Sequence, residues 1–276
     1  MQDCKPVNTP MDQTKLEPYE VENTKTLPNP QEGEYRKIVG SLMYLMICTR
    51  PDIAVAVSML SRSASNHSPQ HLQAAKRVLC YLQETSTYSL CIGSNNVTLH
   101  GYSDTDCGNN IIDQRSITGY LSCIGNAGPV TWVSKRQPTV ALSSTEAEYM
   151  ALSFAIQETI LLCSLLKELQ VPKYCDKNAR PTTIHKDNQS CILLAWNPVD
   201  HARTKHIDIR HHFICDPVDK EIHLEYLPTA EMVTDSLTKP LPAPAFKYHC
   251  KKMCIKHHNN TNTPMTKVSM TELPNE

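Results

Sequence analysis

The chain has 276 residues, enough for one large or two small domains with sizeable buried cores. Apolar residues make up 40% and the formal net charge is −1, which argues against a protein that holds nucleic acid by bulk positive charge. A site where divalent cations bridge carboxylates to phosphate is not excluded by that balance. The twelve cysteines follow no disulfide framework and read as free thiols of an intracellular chain. The longest apolar run, Ile38 to Cys48, is too short to cross a bilayer, so no membrane association is expected.

Residues 1–32 are polar and proline-dotted and read as a flexible arm. Residues 33–92 predict a helical module. Ile38, Val39, Leu42, Leu45 and Met46 mark a first helix, and Pro51 opens a second containing Val55, Met59 and Leu60. Ser68 caps a third, where Leu72, Ala75, Leu79 and Leu82 recur at helical spacing. These helices are expected to pack mainly on one another, with Gly93-Ser94-Asn95-Asn96 as a linker.

The pattern changes at residue 97. Strands are predicted from Val97 to Asp104, Gly119 to Gly125 and Val130 to Lys135, the last two joined by the turn Asn126-Ala127-Gly128-Pro129. A long helix follows from Ser144 to Gln170, then a strand from Thr182 to Asp187 and a helix from Gln189 to Asn197. Ile207 to Asp216 reads as helix and Ile222 to Leu227 as the last strand. A short helix near Glu231 and an amphipathic helix from Phe246 to Lys256 close the pattern, and residues 257–276 read as a disordered tail. Strands followed by alternating helix and strand predict an α/β fold, a mixed sheet covered by helices over 97–256. Near the end, Cys250, Cys254 and His257 raise two readings, a zinc site or ordinary buried thiols.

Four carboxylates stand out. Asp104 lies on a strand, where Asp is disfavoured. Ser143 and Glu146 fit a capping box, which gives Glu146 a structural task. Glu148 has none, and it heads the stripe Leu152, Ala155, Thr159, Leu162 and Leu166 that should face the sheet. An unpaired carboxylate there is costly unless a cation or basic partner relieves it. Asp187 ends a strand and Asp235 lies late in the chain. Each has an ordinary reading: strand end, helix cap or exposed acid. Together they fall on elements able to converge at one sheet edge, where cations must offset their repulsion.

Several long motifs then matter as a set. They are Gly101-Tyr102-Ser103-Asp104-Thr105-Asp106, the run from Ser134 to Tyr149, Asp187-Asn188-Gln189-Ser190, the run from His201 to Arg210, and Leu237-Thr238-Lys239-Pro240-Leu241. This set resembles the ribonuclease H domain of copia-type retrotransposon Pol polyproteins. Upstream, Ile38 to Leu42 and Thr49 to Ile53 resemble the end of the reverse transcriptase in those polyproteins. The resemblance covers roughly residues 1–256. It implies a five-stranded ribonuclease H-like sheet and hydrolysis of the RNA strand in RNA–DNA hybrids, with RNA told from DNA partly through its 2′-hydroxyls. It implies two Mg2+ ions, or Mn2+ in their place, with Asp104 bridging both, Asp187 on the ion that activates water, and Glu148 with Asp235 on the other. Lys135, Arg136, Asn188, Gln189, Arg203, Lys205 and Arg210 are the expected nucleic-acid contacts. The implied partners are the hybrid and the upstream reverse transcriptase, in a cytoplasmic virus-like particle or the nucleus.

The sequence departs from the family pattern at Cys107, where Trp is usual, at Trp196, where Lys is usual, and at Pro217. The loop Leu227-Pro228-Thr229-Ala230-Glu231 lacks the His that many cellular ribonucleases H carry. No Asp-Asp pair occurs, so the polymerase core motif is absent. The rival expectation is a degenerate retroelement fragment that binds nucleic acid or a polymerase without cleaving. An integrase-type transferase fits less well, since its usual order of Asp, Asp, Glu differs from the order here.

Overall fold

The computed structural model describes residues 5–13, 30–93, 97–107, 114–176, 180–196, 214, 217–218 and 220–257. Helix α1 (Pro30–Cys48) begins inside the expected arm and buries Tyr35, Val39 and Leu42, one face of its winding. A 3-10 turn at Pro51–Ile53 leads into α2 (Ala54–Ser61). Ser68 caps α3 (Pro69–Glu84) as the sequence predicts. Its hydroxyl accepts the His71 N–H, while the Ser68 N–H donates 3.2 Å to His71 Nδ1, so a histidine completes the capping box.

A buried network ties these helices together. The Arg50 guanidinium donates to Asp52 through Nε (2.9 Å) and Nη2 (2.7 Å), and Nη2 also donates to Thr85 Oγ1 at 2.6 Å. Tyr81 donates its hydroxyl to Asp52 Oδ2 at 2.7 Å. Arg50 and Asp52 are both buried, so each charge depends on the other for compensation.

Strand β1 (Tyr88–Leu90) leaves the helices. The main sheet comprises β2 (Leu99–Asp106), β3 (Ile117–Ile124), β4 (Pro129–Arg136), β5 (Thr182–Lys186) and β6 (Ile222–Tyr226), in the order β4-β3-β2-β5-β6. β2, β3 and β4 form an antiparallel meander, whereas β5 runs parallel to both β2 and β6. This is the mixed five-stranded, ribonuclease H-like α/β sheet that the resemblance implies. Helix α4 (Ser144–Glu168) covers one face and buries all six residues of the stripe from Glu148 to Leu166. Short α5 (Pro172–Cys175) and α6 (Gln189–Trp196) follow. The chain closes with α7 (Asp235–Thr238), α8 (Ala243–Lys252) and β7 (Ile255–His257).

Four expectations need correction. The helical module does not keep a core to itself. Tyr35, Leu42, Val57, Leu60 and Val78 share one apolar cluster with Leu121 and Cys123 of the sheet and with Leu237, Phe246 and Cys250. The sheet's second face is apolar and must be covered; the helices supply the cover. Trp132 Nε1 on β4 donates 2.9 Å to the Met46 carbonyl of α1, and β1 pairs antiparallel with β7. Second, part of the arm is docked: Met11 is buried, and Asp12 pairs with Arg77 at 2.7 Å. Third, the final helix stops at Lys252, and Ile255 to His257 is a strand because β1 offers it a backbone edge. Fourth, α4 is long and apolar enough to cross a membrane by length and composition; half of that stretch is buried against the fold as a core helix. The expected helix from Ile207 to Asp216, apart from Ile214, and the tail beyond His257 lie outside the described residues.

Replacing Asp52 with Ala should leave the Arg50 guanidinium buried without its anion. A loss of about 3–5 kcal/mol in urea unfolding is expected. A loss below about 1 kcal/mol would show that the network does not organise the helical layer.

Candidate active site

Two strand ends set the site. β2 and β5 are parallel, with Tyr102 level with His185. Asp104 lies two residues beyond Tyr102 and Asp187 two beyond His185, so both reach the same carboxyl-end edge of the sheet, where ligands of open parallel sheets gather. Glu148 arrives from the first turns of α4. Ser143 caps that helix, its hydroxyl accepting the Glu146 N–H at 3.1 Å. The Glu146 carboxylate accepts the Leu142 N–H at 2.6 Å. Asp104, Glu148 and Asp187 each offer an oxygen, and these atoms all lie within 4.8 Å of one another.

Sequence reasoning missed the residue that holds α4 in place. Buried Gln137 donates Nε2 to the Ala147 carbonyl at 2.9 Å and to Thr118 Oγ1 at 3.1 Å, fastening the helix start beside β3. Its signal was a polar side chain amid the Ser134 to Tyr149 motif, indistinguishable there from an exposed one. Asn188 is also clarified. Its Oδ1 accepts the Cys191 N–H at 2.8 Å, so Asn188, not Asp187, caps α6. Asp187 is thereby spared the capping task and accepts the Thr229 hydroxyl at 2.8 Å.

Asp235 stands beside this group through α7. Thr238, one turn on, donates its hydroxyl to Asp104 Oδ2 at 2.8 Å, and Lys239 pairs with Asp235 at 2.9 Å. Gly119 lies opposite Asp104 in the β2–β3 register. A Cβ at Gly119 would stand 2.6 Å from Thr238 Cγ2 and 3.1 Å from Leu237 Cβ, so only glycine lets α7 sit against the sheet.

The cluster has an internal cation that sequence analysis passed over. Lys186, the last residue of β5, is fully buried and donates Nζ to Glu148 Oε2 at 2.5 Å and to the Ser103 carbonyl at 3.3 Å. Burial alone would depress the Lys186 ammonium, but Glu148 and Asp104 raise it on balance and hold it charged. Burial pushes Glu148 up to about 7 against the opposing pull of Lys186. Asp104 is raised by burial first and by the charge of Asp235 second. Oxygen donors so close, with Asp104 still short of counter-charge, form a donor set that fits a hard divalent cation.

No protein-family model matches the chain. The chain is 40% identical over 265 residues to a retrovirus-related Pol polyprotein from transposon TNT 1-94 of Nicotiana tabacum, covering 94% of this chain and 19% of that protein. It is 41% identical over 255 residues to a retrovirus-related Pol polyprotein from transposon RE1 of Arabidopsis thaliana, covering 91% of this chain and 17% of that protein. The chain belongs to the copia-type retrotransposon Pol polyproteins. It spans under a fifth of the length of these relatives. It is also 54% identical over 129 residues to secreted RxLR effector protein 161 of Plasmopara viticola, covering 46% of this chain and 90% of that protein. Ribonuclease H1 from Halobacterium salinarum NRC-1 aligns over 51% of this chain and 94% of its own at 17% identity and a TM-score of 0.34. The strand order and directions, not that alignment, define the fold.

In this Pol polyprotein segment, Lys135 and Arg136 are exposed at the end of β4 and Gln189 is exposed at the start of α6. Arg203, Lys205 and Arg210 lie outside the described residues. Cys250 of the Cys250, Cys254 and His257 set is buried in the core. Among the described residues the group with ligand geometry is the carboxylate one. Cys107 is exposed near the start of α4, with its thiol 3.7 Å from the Ser144 carbonyl. Trp196 ends α6 beside His223.

Gly119→Ala should force α7 outward and loosen the Thr238–Asp104 bond. The expected cost is about 1–3 kcal/mol of stability by chemical denaturation. An unchanged unfolding free energy would mean that α7 gives way freely and does not position Asp235.

Proposed function

We propose that this chain is the ribonuclease H part of a retrotransposon Pol polyprotein, a metal-dependent endonuclease that hydrolyses the RNA strand of RNA–DNA hybrids. The observation that carries this reading is the meeting of Asp104, Glu148 and Asp187 within 4.8 Å at one sheet edge. Asp104, Glu148 and Asp187, with Asp235 beside them, would hold divalent cation, Mg2+ or Mn2+. When bound, such a cation supplies Lewis-acid stabilisation of the charge that develops on phosphoryl oxygens.

The protein's own groups do the placing. Thr238 fixes the Asp104 carboxylate by hydrogen bonding, and burial keeps water from competing for it. Asp187 is half-buried and is the member of the group best placed to meet a phosphate or water arriving from solvent. Lys135 and Arg136 on β4 and Gln189 on α6 are exposed and would contact the hybrid's backbone. Arg203, Lys205 and Arg210 complete the proposed contacts, and Asn188, held as a cap, would offer its remaining amide hydrogens. The upstream reverse transcriptase is the proposed protein partner, and a cytoplasmic particle or the nucleus the proposed location.

One observation favours a second reading, a fragment that binds hybrid without cleaving it. Lys186 already neutralises Glu148. A labelled RNA–DNA hybrid with Mg2+ separates the two. On the first reading the unaltered chain cleaves, and Asp104→Asn slows cleavage on the order of 1,000-fold or more while hybrid binding persists. Glu146→Gln should cleave at nearly the parental rate, because a Gln oxygen can still accept the Leu142 N–H. Equal cleavage by the parent and Asp104→Asn would refute the mechanism. Binding without cleavage by the parent would establish the second reading.

A further inference from the structure

We infer that the carboxylate cluster of this chain takes one divalent cation rather than two, because the Lys186 ammonium stands permanently in place of a second. The inference rests on reading the cluster as a cation site, and it concerns how many cations that site accepts.

Geometry and charge point the same way. The family resemblance assigns Glu148 and Asp235 to a second ion. Among the described residues those two carboxylates are the ones paired with lysines: Glu148 with Lys186 at 2.5 Å and Asp235 with Lys239 at 2.9 Å. Among the described groups, Asp104, Glu148, Asp187 and Asp235 against two ammonium groups leave two negative charges, and Asp106, which also acts on Lys239, adds a third at the rim; a single divalent cation takes up most of that charge. A second divalent ion would make the cluster net positive in a poorly solvated place.

The two lysines differ in how firmly they hold their places. The Lys239 side chain is 36% exposed and can swing into water when a cation arrives. Lys186 has no such retreat. Its side chain has no exposed surface, its stem rises from a central strand between β2 and β6, and its ammonium is also held by the Ser103 carbonyl. Expelling it would break both bonds and require the sheet edge to open. Leaving it in place sets a positive charge against any ion seated on the same carboxylate oxygen. A divalent cation on the remaining oxygens of Asp104, Glu148 and Asp187 meets a net attraction, whereas another beside Glu148 Oε2 does not.

The test counts ions. Mn2+ is titrated calorimetrically into the full chain without nucleic acid, and bound Mn2+ is counted independently by electron paramagnetic resonance. The parent should bind one Mn2+ per chain. Lys186→Met keeps the stem's bulk, removes the charge, and should bind two, with the first bound at least about tenfold more tightly. Should Lys186→Met fail to fold, the count on the parent still decides, supported by the double variant Lys186→Met/Glu148→Gln. That variant removes both partners, restores the parental charge and should again bind one. Two ions on the parent, or a Lys186→Met protein with parental count and affinity, would overturn the inference and leave the cation site standing. Absence of Mn2+ binding by both the parent and Lys186→Met would overturn the cation-site reading and the inference with it.

Discussion

Carboxylates gathered in a buried place repel one another, and the contacts at the carboxyl-end edge of this sheet are arranged around that repulsion. Parallel pairing of β2 with β5 brings Asp104 and Asp187 level, and the cap at Ser143 brings Glu148 to meet them. The cluster is then held by what stands around it. Lys186 neutralises Glu148 from inside the sheet, Lys239 neutralises Asp235 from the rim, and Thr238 gives Asp104 a hydrogen bond. The close approach of α7 at Gly119 makes the last of these contacts. Burying charge in this way is unfavourable without partners, and it persists because each anion has one.

The helical layer matters to the site for a mechanical reason. α7 rests between β3 and the apolar cluster that continues into α2 and α8, so Leu237 and Val233 are gripped from both sides. The buried Arg50–Asp52–Tyr81 network stiffens the helices that supply this grip. β1 and β7 pair two segments that are far apart in the chain, which closes the layer onto the sheet. The segment resembling the end of a polymerase is therefore part of the structural support of the carboxylate edge, through one shared core.

The Pol polyprotein relatives and the position of the carboxylates are the grounds for the proposed nuclease reading, and a buried lysine stands at the centre of the cluster. A lysine one residue before Asp187 places a fixed positive charge among the anions. The chemistry available to the cluster depends on whether that charge replaces a cation or merely screens one. That distinction concerns charge balance rather than fold, since either outcome is compatible with the same sheet.

Much of the fold and half of the site's logic were legible in the sequence. Proline and serine punctuation located α2 and α3, alternation located β6, and the apolar stripe located the buried face of α4, because these are local patterns set by backbone sterics and side-chain periodicity. The stripe also singled out Glu148, since a carboxylate heading a buried face needs a reason. Other features depended on partners distant in the chain. Lys186 reads in sequence as an ordinary strand-end cation, and only its neighbours in space, Glu148 and Ser103, make it a buried one. Gln137 likewise gains its role from α4. Ile255 to His257 continued a helical pattern in sequence, but an open edge at β1 drew it into a strand. The division into two units failed for the same reason: the apolar residues of 33–92 declared that they would be buried, while which surface would bury them was decided by the uncovered face of the sheet.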